Sequence, residues 1–196
     1  MYSMKSLPKY CAGFLMMGLC WTAQAHEGTP HDTLAAGSDQ LALEVDEAEA
    51  IGSAEVLQKI HANNLAEIDM GQMIMDRGNS EDLRKYGRIL VRDHLIMDGM
   101  VNIVAKGLGV ELDGASVNDD VAGFKESLIE MNEMLAATTS DEEFRAMLRA
   151  MAIESHQAAL DLLRRAEKGA PDLSLRLLAK TSDPVISRHL QLAKEI

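Results

Sequence analysis

The sequence predicts an all-α domain: an antiparallel four-helix bundle with an additional short helix before its third main helix. Three observations carry this. Apolar residues recur at spacings of three and four through four long stretches, the signature of helices with one buried face. Glycines and capping residues punctuate the ends of those stretches. Nowhere do apolar and polar residues alternate between turn signals, as strands would require. Long amphipathic helices with short connections bury their stripes most simply against one another in a bundle.

Residues 1–25 read as a cleavable signal peptide, with Lys5 and Lys9 in a basic start, an apolar run from Cys11 to Trp21, and Ala23-Gln24-Ala25 as a small-residue cleavage site. The run is roughly 11 residues, short of the ~20 a membrane-spanning helix needs. The expected mature chain is exported and begins at His26. Lipidation at Cys20 competes with this reading, but Leu19 puts a bulky residue where that processing prefers a small one. Both cysteines and the only tryptophan leave with the signal, so packing alone must hold the mature chain. Residues 26–52 mix Gly, Pro, Thr, Ser and acidic residues and read as a flexible acidic leader; residues 53–196 are the bundle domain.

The net charge is −12, and loss of Lys5 and Lys9 takes it to −14. Such a chain repels nucleic acid and anionic lipid, and no dense basic tract offsets this. Solubility is the plain consequence; cations are the partners the charge favours.

The first helix is predicted from near Ser53 to Arg77, with Val56, Ile60, Glu67, Met70 and Ile74 inward and a left-handed glycine cap at Gly78. The second starts after Ser80 as N-cap, with Glu81 and Asp82 in its first turn, and ends at Gly107 or Gly109. Leu83, Leu90, His94, Met97, Val101 and Val104 form its apolar face. A loop over 111–118 leads to the short helix carrying Phe124, Leu128, Met131 and Leu135. Ser140 and Glu143 form a capping box for the third main helix, which carries Phe144, Leu148, Met151, Ala159 and Leu163 to a stop at Gly169. Pro171 fits the first turn of the last helix, which runs to Ile196 and should bend at Pro184.

Each main helix places an ionisable residue among its core positions: Glu67, His94, His156 and His189. Burying Glu67 unpaired costs several kcal/mol, so it calls for a cation, a proton or strong donors, and Asn63 and Asn64 stand one turn away to donate. Three imidazoles and a carboxylate meeting at mid-bundle would suit zinc, iron or copper, for which neutral imidazole nitrogen and carboxylate oxygen are good ligands. The competing reading is a polar network that only fixes helix register. Asp93 and Met97 are secondary candidates, Asp93 pointing about 100° away from His94 on the helix.

Methionine pairs at helical spacing (Met70/Met73, Met97/Met100, Met131/Met134, Met147/Met151) offer thioethers to Cu(I), although such stripes are more often adaptable core filler. His26 and His31 lie in the leader. No mature cysteine, serine elbow or glycine-rich phosphate loop is present, so enzyme classes that need them are excluded.

The segments Asn63-Asn64-Leu65-Ala66-Glu67-Ile68-Asp69-Met70-Gly71, Val91-Arg92-Asp93-His94, Glu154-Ser155-His156-Gln157 and Asp183-Pro184 through His189-Leu190 together resemble the bacterial secreted family of domain of unknown function 4142, often labelled "predicted outer membrane protein". The resemblance spans roughly 53–196. It implies a ferritin-like bundle in the periplasm or envelope and points to Glu67, Asp93, His94, His156 and His189. It does not imply ferritin chemistry: di-iron bundles use Glu-x-x-His motifs, and this chain has none. No barrel-like strand pattern supports the "outer membrane" label. The expectation is a non-enzymatic envelope protein binding a metal or small ligand, with a structural or interaction protein as the alternative and a dinuclear oxidoreductase as the least supported.

Overall fold

The computed structural model describes residues 52–114 and 117–196; the segment read as a signal peptide and nearly all of the expected leader, with His26 and His31, lie outside them. Five helices make up the described chain: α1 (Ser53–Arg77), α2 (Glu81–Leu108), α3 (Asp119–Ala136), α4 (Asp141–Gly169) and α5 (Leu173–Glu195), with no strand among the described residues. The helix packing is that of a bundle, with α3 as the additional helix.

Local chemistry sets the ends. The Ser80 hydroxyl accepts from the Leu83 N–H, Asn118 from Val121 and Ser140 from Glu143, each satisfying a first-turn donor that has no partner inside its helix. Gly109 closes α2 at φ 67°, the left-handed conformation glycine adopts without strain. Three expectations need correcting. Gly78 is extended, not left-handed (φ −62°, ψ 119°). A Cβ there would stand 2.6 Å from the Ile74 carbonyl oxygen, so close approach, not a positive φ, demands the glycine. The Glu143 carboxylate accepts from the Thr139 N–H, one residue before the cap. Pro171 precedes the N-cap Asp172 and lies outside α5, while Pro184 sits within α5, which continues through it.

Contacts at the two ends give the directions. At one end Asn79, after α1, donates to Asp141 at the start of α4. There too Arg77 donates to the Leu135, Ala136 and Thr138 carbonyls at the end of α3 and lies 4.4 Å over the Phe144 ring. At the other end Ser53 donates to Asp172, and Gln58 to the Glu111 carbonyl after α2. Helices α1 and α5 therefore run one way and α2 and α4 the other. The crossover from α2 to α4 returns along the bundle through α3.

The α1–α2 pair is tight because two glycines face each other. A Cβ on Gly87 would lie 2.6 Å from the Gly71 oxygen, and one on Gly71 would lie 2.9 Å from the Gly87 oxygen. The buried side chains form two apolar clusters, one around Leu57, Val101 and Leu175 and the other around Ile74, Leu135 and Leu148. Between them lies a polar layer: His94 between Leu90 and Met97, His156 between Ala152 and Leu160, His189 between Ile186 and Ala193.

Candidate metal centre

The four ionisable residues predicted on apolar faces are all buried, with no more than 1% of each exposed. The three histidines come together. Their ring centroids are 5.2 Å (His94–His189), 5.4 Å (His156–His189) and 6.1 Å (His94–His156) apart, and each offers one nitrogen within 4.8 Å of the other two. Glu67 stands beside this triad, with Oε2 4.0 Å from His156 Nε2.

Each ring is held from behind. His94 Nδ1 faces the Asn64 Oδ1 at 3.0 Å, His156 Nδ1 faces the Ala152 carbonyl at 2.6 Å, and His189 Nε2 faces Asp93 Oδ2 at 3.0 Å. Those partners are acceptors, so the facing nitrogen carries the proton and the other nitrogen presents a lone pair. These other nitrogens, His94 Nε2, His156 Nε2 and His189 Nδ1, are buried without a hydrogen-bond partner among the described residues, as is Glu67 Oε2. Glu67 is likewise fixed from one side, its Oε1 accepting from Ser155 at 2.6 Å.

The surroundings of His94 and His189 favour the neutral ring. Burial first, and then the neighbouring His189 and His156, hold His94 well below its ordinary value. His189 is also lowered, chiefly by burial, although its bond to Asp93 opposes this. For Asp93, burial pushes upward, but hydrogen bonds from Arg92 and His189 outweigh it and keep the carboxyl below its usual range.

Asp93 is therefore an outer partner that orients His189, consistent with its pointing away from His94's face. Met97 is buried one turn beyond His94 and packs with Met100 in one apolar cluster; Met70, Met73, Met131, Met147 and Met151 pack in the other. Asn64 does not donate to Glu67 but accepts from His94, and the donor to Glu67 is Ser155 on α4. Sequence reasoning missed Ser155 and Tyr86. The Tyr86 hydroxyl is buried without a partner, and burial, then the Glu67 charge, pushes the phenol above its ordinary range. The only signal for Tyr86 was its place on the α2 stripe, four residues before Leu90 and eight before His94.

The fold and this layer define a helical-bundle protein with a buried three-histidine cluster. The chain belongs to the family described as Domain of unknown function (DUF4142), whose model matches residues 40–196. Neither curated proteins nor solved structures give a match.

Proposed function

We propose that this protein binds one divalent first-row transition metal ion at mid-bundle through His94 Nε2, His156 Nε2 and His189 Nδ1, with Glu67 Oε2 as a fourth ligand. The observation supporting this is the convergence of three buried histidines, each with one nitrogen left without a hydrogen-bond partner, beside a fourth unpartnered acceptor, Glu67 Oε2, 4.0 Å from His156 Nε2. Each unmade buried bond costs about 1–3 kcal/mol, and one cation would satisfy all four. Ligating histidines characteristically donate their second N–H to a carbonyl or carboxylate, which fixes tautomer and orientation; all three do so here. Nitrogens bound at about 2.0–2.1 Å around a tetrahedral ion lie roughly 3.3 Å apart. Spacings of up to 4.8 Å thus close on an ion with ring movements on the order of 1 Å. Glu67 and Asp93 supply two negative charges against a divalent ion. Imidazole suits zinc, iron and copper.

The test is elemental analysis of protein purified without added metal or chelator, followed by calorimetric titration of the stripped protein with Zn, Cu and Fe(II). One equivalent is expected, lost in a His94→Ala, His156→Ala double variant. No stoichiometric metal and no thermal shift with any ion would rule the reading out. The second reading, a bundle whose polar layer only sets helix register, draws on the cross-helix ties Asn64–His94, Asp93–His189 and Ser155–Glu67. Export is proposed on the strength of residues 1–25 alone.

A further inference from the structure

The four proposed ligands are enclosed along the bundle and across it. Glu67, His94, His156 and His189 come one each from α1, α2, α4 and α5, and none is more than 1% exposed. Because α1 and α5 run opposite to α2 and α4, the side chains one turn away fall into two sets. Met97, Leu160 and Ile186 lie on one side of the histidine layer and Met70, Leu90 and Ala152 on the other, all buried. A bare divalent ion passing either set would shed its water with no ligand to replace it, so the bundle axis is no route.

The flanks are closed by hydrogen bonds. Asn64 backs His94, the Ala152 carbonyl backs His156, Asp93 backs His189 and Ser155 backs Glu67. A ligand that swings outward breaks its own bond and leaves a buried polar group unpaired. Asn64 and Ser155 are themselves buried, and the Asp93 side chain, 13% exposed, is held in turn by Arg92. Catalytic metal sites keep a position open for water or substrate, whereas structural sites are closed by four protein ligands. Three imidazoles and a carboxylate, one from each main helix, make a site of the second kind.

We infer that the ion is a structural staple: it ties the four main helices at mid-height and exchanges only when they part, so it is neither cargo for a partner nor a reaction centre. The inference rests on the metal reading above and adds how the ion is kept. Its consequence is kinetic. Parting the helices exposes buried surface, and exposed surface is what urea favours; a local port beside one ligand would expose almost none. The urea dependence of ion release therefore tells the two routes apart.

Zinc is the probe, being redox-inert and suited to tetrahedral ligands. The full chain is loaded with one equivalent of Zn²⁺ and mixed with excess chromogenic chelator, and release is followed by absorbance at several urea concentrations below the unfolding transition. The logarithm of the release rate should rise linearly with urea, at least as steeply as that of the unfolding rate measured by circular dichroism on the same loaded protein. Ile74→Val, in the core seven residues from Glu67, should release zinc up to about tenfold faster, in step with its faster unfolding. Release that ignores urea, or a variant that unfolds faster yet releases zinc at the wild-type rate, overturns the staple and leaves the metal site standing with a local port. Failure to hold zinc overturns the staple, and failure to hold copper or iron as well overturns the metal reading with it.

Discussion

Replacing Glu67 by Gln separates a metal site from a register-fixing network by the sign of its effect. Glu67 is wholly buried; its Oε1 accepts from Ser155, and its Oε2 stands 4.0 Å from His156 Nε2 with no donor. The two facing atoms are both acceptors, because His156 gives its proton to the Ala152 carbonyl. Glutamine keeps the acceptor toward Ser155 and puts an N–H where the lone oxygen was. Closing to about 3 Å completes a hydrogen bond. An unmet buried acceptor costs about 1–3 kcal/mol, so metal-free Glu67→Gln should be more stable than metal-free wild type by that amount, about 2–4 °C in Tm for each kcal/mol in a domain of this size. With metal the order reverses. At a free ion concentration a hundred times Kd, wild type gains about 2.7 kcal/mol, and a tenfold weaker site gains only about 1.4 kcal/mol. Scanning calorimetry in chelator and at one buffered free-metal concentration reads both numbers. A variant less stable than wild type in chelator, together with a wild type indifferent to every ion, would refute the metal reading and leave the polar layer as a satisfied network.

Other consequences follow from the same geometry. His94 is held below its ordinary value in the folded state, so between that lowered value and about 6.5 the unfolded chain binds the extra proton. Metal-free protein should therefore lose up to about 1.4 kcal/mol per pH unit from this group as pH falls below about 6.5, with His189 adding in the same direction; urea titrations giving equal stability at about pH 7 and pH 5 would contradict it. Gly87→Ala puts a Cβ 2.6 Å from the Gly71 oxygen and should cost about 1–3 kcal/mol by forcing α1 and α2 apart. Gly99→Ala meets nothing within 4 Å and should instead stabilise by about 0.4–1 kcal/mol through its helix position. His61 faces Asp98 at 2.6 Å and Asp113 at 3.2 Å. Removing it in His61→Ala should cost about 1–3 kcal/mol and speed amide exchange around 109–113 without changing metal stoichiometry; unchanged exchange there would show that the clasp is idle.

How much of this was legible in the sequence depends on whether a feature is local. Ser80, Ser140 and Gly109 act on atoms within a few residues of themselves, so the helix ends could be read with little error. The inward stripes could be read too, because helical geometry alone puts Glu67 with Met70 and Ile74, and His94 with Leu90 and Met97. What could not be read were pairings across helices. Asn64 stands one turn from Glu67 in sequence and was expected to serve it. It serves His94 instead, while Glu67 takes its donor from Ser155 on another helix. The Gly78 conformation was misjudged for a related reason, since a glycine needed for close approach looks in sequence like one needed for a positive φ.

The convergence itself depends on a register that no single helix encodes. Helices α1 and α2 approach each other closely at Gly71 and Gly87, where neither backbone tolerates a Cβ. In an antiparallel pair, moving seven residues back along α1 and seven forward along α2 reaches a common level, roughly 10 Å away at 1.5 Å per residue. From Gly71 and Gly87 those steps arrive at Asn64 and His94, the pair joined at 3.0 Å. The glycine contact thus sets the height at which Asn64 meets His94. Asp93, the neighbour of His94, then reaches His189 on α5, and Glu67, one turn from Asn64, reaches Ser155 on α4 beside His156. All four ionisable side chains hang from that one level. The Gly87→Ala variant should therefore weaken metal binding as well as stability, although Gly87 lies seven residues from the nearest histidine on its helix. Unaltered metal affinity in a variant destabilised as expected would show that the polar layer sets its own height.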